Sequence, residues 1–377
     1  MKAKPLSPLS PAPGWEAAPF RVIGQGCDTY AETFNIEWSR EARQAIEAAR
    51  AAADMDPRRK DGAPLNLCGE EWQVMPHGAK GGVVHVLHNP EIMLLCRSFN
   101  TEWSLTARYR SAGIWGHGLP ALRERVAAFV ARAGTLAACE DNPRVSRFDY
   151  AIDLHAPGFA PSYSMGDRGF CFPQGTAKLR VIGCAQGPET FTLGSMAGLQ
   201  VQLYDKCKEI RQASGKDWFH EIWGGVKRDV WRIECRFSGA WMKERGIRSF
   251  EAVESSLRPM ISTALHAYRL TDGSASRARR ANVHPLWWHA MEAAGGADFG
   301  AAVVNLSTMK RDEFHAMMRK NAIGTARAAL VALHGEIDQA AMDDFMSDVA
   351  ASEQFDPRRK EKISRLQERH RWIERPA

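Results

Sequence analysis

The chain has 377 residues, of which 45% are hydrophobic and 25% are charged, which is ordinary for a folded soluble protein. Its formal net charge of +6 permits a polyanionic partner without requiring one. The eight cysteines form no Cys-x-x-Cys pair, which argues against a zinc ribbon. No apolar run is long enough for a membrane helix, so we expect a cytoplasmic protein with reduced thiols and no membrane partner.

Strands followed by a helix are predicted twice along the chain. In the first block, residues 28–36 predict a strand, 39–54 an alanine-rich helix, 71–118 a meander of strands and 119–134 an amphipathic helix. The second block begins with alternating apolar segments, which predict strands at 144–157, 177–183, 189–195, 198–206 and 230–239. It ends with a predicted helix at 250–270, in which Pro259 predicts a kink or break.

These elements predict an α+β fold: antiparallel sheets with one face covered by helices, plus a C-terminal helical appendage. Residues 1–18 are rich in proline and serine and predict a flexible leader rather than a signal peptide. We expect residues 19–270 to form the main domain. Residues 271–377 show helical patterns and end in a basic tail at 357–377, with eight basic and three acidic residues.

Three of the predicted strands have one polar face each, because side chains alternate along a strand. On this face lie Arg147, Asp149, Asp153 and His155 of the first strand; Tyr204 and Lys206 of the second; and Arg232, Glu234 and Arg236 of the third. The opposite face of the first strand carries Phe148, Tyr150, Ile152 and Leu154.

This polar face has two interpretations. A sheet packed on helices on one side normally exposes the other side to water, and the charged residues would then be a solvated surface. If the three strands are neighbours, however, carboxylates, cations and a tyrosine converge on one open face. Carboxylates and a histidine can hold a divalent ion, arginine and lysine can bind phosphate oxygens, and tyrosine offers a nucleophile. The pattern therefore favours metal-assisted phosphate chemistry.

Spacing limits which carboxylates could share a metal ion. Asp149 and Asp153 are four residues apart, roughly 13 Å along a strand, so they cannot share one ion without a bulge. Asp149 with Glu234 on a neighbouring strand, or Asp153 with His155, are the plausible pairs.

The segments RFDYAIDL, TLGS, VQLYDKCKE and RIECRF occur in this order, and together they resemble the replication initiation factor family. That family comprises rolling-circle replication proteins of plasmids and phages, together with relaxases of integrative conjugative elements. The resemblance covers about residues 20–270. It implies a fold related to the His-hydrophobic-His (HUH) endonucleases, with a degenerate histidine pair.

The resemblance also implies an activity, in which a tyrosine cleaves one DNA strand to leave a 5′-phosphotyrosine link and a free 3′-hydroxyl. By position, Tyr204 is the nucleophile, Asp149 and Glu234 lie at or near a Mg²⁺ or Mn²⁺ ion, and Lys206, Arg147 and Arg232 surround the phosphate. A tyrosine of pKa about 10 needs a positive neighbour to ionise, and Lys206 could supply it. The implied partner is origin DNA, single-stranded or cruciform, with a host helicase and a second copy of the chain as further candidates.

Two basic segments could extend the contact with DNA. Arg277, Arg279 and Arg280 lie close together in the sequence, and the tail at 357–377 is basic; both could meet phosphates or simply be solvated. Two other classes of function stay open. One is a DNA-binding replication protein of a mobile element without chemistry, and the other is a metal phosphoesterase that activates water instead of Tyr204.

Overall fold

The structure is a computed structural model, and it describes most of the first 299 residues and short parts of the remainder. The described residues are 9–55, 62–172, 178–276, 278–299, 322–323, 326–327, 329–331 and 338–354. The chain divides into two compact units, residues 1–208 with 220–304, and residues 209–219 with 305–377. The domain boundary predicted after residue 270 falls inside the first unit.

Most strands of the described chain belong to one large sheet. The strands are β1 (Arg21–Phe34), β2 (Ile36–Trp38), β3 (Ala63–Leu67), β4 (Glu70–Val74), β5 (His85–His88), β6 (Ile92–Cys96), β7 (Leu105–Tyr109), β8 (Gly134–Leu136), β9 (Arg144–His155), β10 (Phe170–Cys171), β11 (Leu179–Cys184), β12 (Gly187–Gly194), β13 (Leu199–Asp205), β14 (Val230–Ser238) and β15 (Arg269–Leu270).

The helices are placed between and after these strands. They are α1 (Arg40–Met55), α2 (Ser111–His117), α3 (Leu119–Ala133), α4 (Tyr163–Arg168), α5 (Lys206–Glu209), α6 (Phe219–Ile222), α7 (Gly239–Lys243), α8 (Phe250–Ala267), α9 (Pro285–Ala294) and α10 (Gln339–Gln354).

One antiparallel sheet of 11 strands joins both predicted blocks, in the order β11-β12-β13-β14-β9-β1-β7-β6-β5-β4-β3. The long strands β1 and β9 pair with each other at its centre, with register shifts that mark bulges in β1. On one side of this pair lie β7 and β6, and on the other lie β14 and β13. The predicted large antiparallel arrangement with helices is therefore confirmed, but the two blocks share a single sheet.

Helices cover the apolar face of this sheet, which we define by Phe148, Tyr150, Ile152 and Leu154 of β9. Ring contacts from this face reach α3 through Trp72 and Phe129, α7 through Phe237 and Trp241, and α8 through Tyr30 and Phe250. These are the large side chains that supply most of the burial on which such a fold depends.

We call the opposite side of the sheet the polar face, defined by Arg147, Asp149 and Asp153 of β9. Residues paired directly in antiparallel strands place their side chains on the same side. The register therefore extends this face to Arg232, Glu234 and Arg236 of β14 and to Tyr204 of β13. The side chains that were predicted to share a polar face on β9, β13 and β14 thus lie on one side of the sheet.

Two local predictions were wrong. Residues 111–117, predicted as part of a strand meander, form α2, although the segment is short and contains glycine. A Cβ on Gly113 would lie 2.8 Å from the Cβ of Glu91, so close packing, which the sequence does not reveal, holds this turn. Of the kink or break predicted at Pro259, the break does not occur: α8 continues through this residue, which lies on the exposed side while Leu257 and Ile261 pack inward.

Part of the predicted leader makes backbone contacts in the first unit. Ala12 donates its N–H to the carbonyl of Val283 at 3.0 Å, and Val283 donates to Ser10 at 2.9 Å. Residues 1–8 lie outside the described residues, as do Arg277 and the basic tail at 357–377. Of the predicted helical region, α9 and α10 are described. No helix among the described residues is both long and apolar enough to cross a membrane.

The centre of the apolar face should dominate the stability of the first unit. Phe148 is fully buried and contacts the rings of Phe237 and Phe299. We expect Phe148→Ala to lower the free energy of unfolding by about 3–5 kcal/mol, because it removes a buried ring and leaves a cavity. Urea unfolding followed by circular dichroism measures this loss. The control Ile182→Ala, on an exposed edge position, should cost less than about 1 kcal/mol; equal losses would contradict this account of the core.

Candidate functional site

The three strands that carry the predicted site are direct neighbours in the order β13-β14-β9. Arg232 pairs with Tyr204 on one side and with Asp153 on the other. The adjacency that the sequence analysis required is therefore present. The face is not open, however, because Tyr204 is 9% exposed and Asp149, Asp153, Arg232 and Glu234 are each 3% exposed or less.

Tyr204 belongs to a chain of hydrogen bonds that runs along the polar face. Its hydroxyl donates to Glu234 Oε2 at 2.9 Å. Arg236 Nε donates to Glu234 Oε1 at 2.8 Å, and Arg236 Nη1 donates to Gln200 Oε1 at 3.3 Å. A carboxylate therefore stands ready to accept the tyrosine proton while an arginine stabilises its negative charge.

A second group lies beside Tyr204 and is centred on Arg232. The guanidinium binds Asp153 through two bonds, Nε to Oδ1 at 2.6 Å and Nη2 to Oδ2 at 2.8 Å, and its Nη1 donates to Asp28 at 2.7 Å. Trp223 Nε1 also donates to Asp153 Oδ2 at 2.9 Å. This buried charge pair is held by the bidentate geometry that suits arginine and carboxylate.

A third group joins Arg147 and Asp149 on the same strand. Arg147 Nε lies 3.0 Å from both Asp149 oxygens, and its Nη2 lies 2.6 Å from Oδ2. Burial raises the pKa of Asp149 to about 6; hydrogen bonding to Arg147 opposes this rise, and the charge of Glu234 adds to it. Asp149 and Glu234 are thus close enough to repel each other across neighbouring strands.

Two arginines lie within electrostatic range of the tyrosine oxygen. Burial alone would lower the pKa of Arg232, but Asp153, Tyr204 and Asp28 raise it well above its usual value. Burial would also lower the pKa of Arg236. The charges of Glu234, Asp149 and Tyr204 outweigh this effect, so that the pKa of Arg236 is raised as well. Both guanidinium groups therefore stay charged at any pH at which the protein is folded, and both would stabilise negative charge on the Tyr204 oxygen.

Lys206 and His155 occupy the ends of their strands. Strand β13 ends at Asp205, so Lys206 begins α5 and does not continue the strand. Lys206 Nζ lies 5.8 Å from the centroid of the Tyr204 ring, within the range of a cation–π contact. His155 is the last residue of β9 and pairs with Val230. No hydrogen bond or ion pair joins the His155 ring to another side chain in the described part of the chain.

The carboxylates do not fit a divalent cation in this arrangement. Glu234 accepts from Tyr204 and Arg236, Asp149 from Arg147, and Asp153 from Arg232 and Trp223. Each negative charge is therefore already paired with an arginine, whereas a Mg²⁺ or Mn²⁺ ion binds carboxylates that still carry uncompensated charge. No group of three or more His, Cys, Asp or Glu side chains within the described ranges is arranged to hold a metal ion. We therefore derive no step through a metal.

The remaining predicted residues lie outside this cluster of contacts. Arg279 and Arg280 are exposed in a turn that precedes α9. Conversely, Asp28, Trp223 and Gln200 belong to the cluster but were not singled out from the sequence. Asp28 is the unpaired residue of a bulge in β1, and Trp223 follows the short helix α6, so neither position carries a periodic signal that could have identified it.

Comparison with known proteins gives two similarities. No known family model matches the chain. The uncharacterized protein ORF430 of Pseudomonas phage Pf1 is 22% identical over 246 residues, which cover 55% of this chain and 56% of that protein. The chain thus matches about half the length of this relative, and the identity does not place it in a family.

Among solved structures, the rolling circle replication initiator protein from Geobacillus stearothermophilus is similar. The match covers 75% of this chain and 100% of that chain, with a TM-score of 0.41 and 13% sequence identity. A similarity of this size establishes neither a shared fold nor a shared activity.

The raised pKa of Asp149 predicts a pH dependence of stability. An Asp with a folded-state pKa of about 6 and an unfolded value of about 3.9 binds more protons in the folded state between these two pH values. Its contribution to the free energy of unfolding therefore falls as pH rises from about 4 to about 6 and is constant above that. We expect the difference in stability between the parent and Asp149→Asn to shift in favour of the variant over this range, measured by urea unfolding at several pH values.

Arg147→Gln is the matched control, because it keeps the carboxylate and removes the partner that opposes the rise in its pKa. Its stability should fall more steeply with pH than that of the parent. A stability difference between the parent and Asp149→Asn that stays constant from pH 4 to pH 7 would show that the pKa of Asp149 is the same in the folded and unfolded protein, and would contradict the electrostatic account.

Proposed function

We propose that this protein nicks and rejoins one strand of DNA through Tyr204, as an initiator of rolling-circle replication or of the transfer of a mobile element. The observation that carries the proposal is the hydrogen bond from the Tyr204 hydroxyl to Glu234, with Arg232 in register with Tyr204 and Arg236 bound to the other oxygen of Glu234. A nucleophile, a proton acceptor and two cations are the groups that an attack on a phosphodiester needs.

The reaction transfers the phosphoryl group without loss of an energy-rich bond. The Tyr204 oxygen forms a bond to phosphorus as the bond from phosphorus to the 3′-oxygen breaks. Glu234 accepts the hydroxyl proton, which passes to the departing 3′-oxygen either directly or through water. The products are a 5′-phosphotyrosine and a free 3′-hydroxyl, and reversal of the same steps rejoins the strand.

Arginine side chains supply the positive charge in this proposal. Arg236 has 21% of its side chain exposed, so it is the cation beside Tyr204 that can also contact a phosphate. Arg232 is fully buried and acts by its field on the tyrosine oxygen and by holding the strand. The divalent ion implied by the family resemblance stays a separate proposal, which the experiment below includes as a variable.

Two further points support the proposal without carrying it. The order of the motifs resembles the replication initiation factor family, with the glycine-serine turn realised at Gly194, whose φ of 81° favours glycine. A relative of the chain is encoded by a phage. By the same resemblance we propose a fold related to the HUH endonucleases, origin DNA as the partner, and a host helicase and a second copy as candidates.

A second candidate function is DNA binding without chemistry. It is favoured by the burial of Tyr204 and by the pairing of each nearby carboxylate with an arginine, which together could serve only to hold three strands in register. Tyr204 is only 9% exposed, so little of its side chain is accessible to a phosphodiester in this structure. The two candidate functions differ in whether the protein needs the Tyr204 hydroxyl to act on DNA.

The first experiment asks whether Tyr204 forms a covalent link to DNA. Single-stranded origin DNA is incubated with the full chain in Mg²⁺, in Mn²⁺ and in a chelator, and the digested protein is searched by mass spectrometry for a nucleotide adduct. We expect the adduct on Tyr204. Tyr204→Phe should abolish nicking and leave DNA affinity within about twofold, because it removes one oxygen from a buried ring.

Tyr163→Phe is the control, since Tyr163 is an exposed tyrosine whose hydroxyl donates to a backbone carbonyl. It should nick as the parent does. Unchanged nicking by Tyr204→Phe, or an adduct on another residue, would contradict the assignment. Tight DNA binding with no adduct under any condition would favour the second candidate.

The second experiment addresses the proton acceptor. Glu234→Gln keeps the shape of the side chain and a hydrogen bond to Tyr204, but it cannot take up a proton. We expect single-turnover nicking to slow by about 10²- to 10⁴-fold, the range typical of general base catalysis, with unchanged DNA affinity. If the rate falls less than about threefold while the adduct remains on Tyr204, Glu234 is a structural partner and the proton goes elsewhere.

A further inference from the structure

A row of side chains crosses the polar face from β7 to β9. Ala31 of β1 pairs with Arg108 of β7 on one side and with Arg147 of β9 on the other. Direct partners in antiparallel strands share a face, so the two arginines lie on the same side of the sheet. Their Cα atoms are two strands apart, or about 10 Å, and Ala31, a residue with a small side chain, lies between them in register.

Arg108 differs from the arginines of the candidate site in having no partner among the side chains that the structure describes. Arg147, Arg232 and Arg236 each bind a carboxylate. Arg108 makes no hydrogen bond or ion pair with any side chain of the described chain, and its Nε is buried without an acceptor. A half-buried guanidinium without a partner is costly, since arginine remains charged and its donors lose their contact with water.

The charges around Arg108 add to this cost. Burial lowers the pKa of Arg108, the neighbouring charge of Arg147 lowers it further, and Asp149 opposes both. The formal charges of these three side chains, Arg108, Arg147 and Asp149, sum to +1, so one positive charge is uncompensated. An anion placed above Ala31 would satisfy the free donors of Arg108 and reduce its repulsion with Arg147.

We propose that Arg108 and Arg147 form a binding site for a phosphate group of the DNA backbone. The ligand is a phosphodiester rather than a base, because guanidinium groups contact phosphate regardless of sequence. This inference rests on the proposed function in one respect, namely that the bound polymer is the same DNA strand that Tyr204 attacks.

The location of this site identifies which phosphate it holds. Arg147 pairs with Ser238, which lies four residues beyond Glu234 on β14. The Cα atoms of Arg147 and Glu234 are therefore about 14 Å apart. The phosphate between Arg108 and Arg147 is thus not the scissile one but another along the same strand, and the path of the DNA crosses the sheet from the half that contains Tyr204 into the other half.

The test is the affinity of Arg108→Gln for a fluorescein-labelled 20-nucleotide oligothymidine, measured by anisotropy between 50 and 200 mM NaCl. We expect roughly tenfold weaker binding, and a slope of log K against log salt that is smaller by about 0.7, the value for one phosphate contact on a single strand. The matched control is Arg40→Gln, which removes an exposed arginine at the start of α1. It should change neither the affinity nor the slope by a comparable amount.

Thermal unfolding separates a binding role from a structural one. Because Arg108 is unpartnered, Arg108→Gln should leave the melting temperature unchanged or raise it. A lower melting temperature with unaltered affinity and slope would show that Arg108 serves the fold, and would overturn the proposal. Loss of affinity in Arg108→Gln would uphold this inference even if no adduct forms on Tyr204. If an adduct does form on Tyr204 but Arg108→Gln binds DNA normally, this inference is overturned and the proposed function is not.

Discussion

The buried ion pair between Arg232 and Asp153 fixes the position of the strands that carry the candidate site. Both side chains are essentially inaccessible to water, so each charge is tolerable only while the other is in contact with it. A slip of one residue between β14 and β9 would move Arg232 to the apolar face among buried rings. Because β13 pairs with β14, the same constraint fixes where the Tyr204 hydroxyl lies relative to Glu234. The position of the hydrogen bond proposed for catalysis thus depends on the salt bridge between Arg232 and Asp153.

The pairing of arginines with carboxylates also decides what chemistry the face can support. Burial is the main cause of the raised pKa of Asp149, and the charge of Glu234 adds to it. Arginine neutralises each of the carboxylates Asp149, Asp153 and Glu234 with rigid, directional bonds. The remaining positive character is carried by guanidinium groups that cannot lose their protons. This arrangement is the basis for proposing that arginine supplies the positive charge and that Glu234 acts on the tyrosine as a base.

The alternation of polar and apolar residues was sufficient to predict which side chains of β9, β13 and β14 share a face, since the period of a strand is fixed by its backbone. It could not predict partners. The sequence suggested pairing Asp153 with His155, two residues away, whereas Asp153 binds Arg232 and Trp223, which are distant in sequence. Spacing along one strand says nothing about the register between strands or about loops that return to a face. The union of both blocks in a single sheet was hidden for the same reason, because pairing of β1 with β9 is a long-range event.

The two halves of the sheet have related layouts but different chemistry. On one side of the central pair, β1 is followed by β7 and β6, and on the other, β9 is followed by β14 and β13. Strand β6 occupies the place that β13 has in the other half. On the polar face, β6 carries the apolar residues Met93 and Leu95, whereas β13 carries Gln202 and Tyr204. The hydroxyl–carboxylate pair of the candidate site is thus confined to one half.

Arg108 departs from the apolar character of Met93 and Leu95 on the neighbouring strand, and in position it adjoins the charged half through Ala31. A charge that helped only the fold would be expected to have a carboxylate partner, as the other arginines of this face do. Among the described residues Arg108 has no such partner, and this is the observation behind the backbone-phosphate contact that we propose for it.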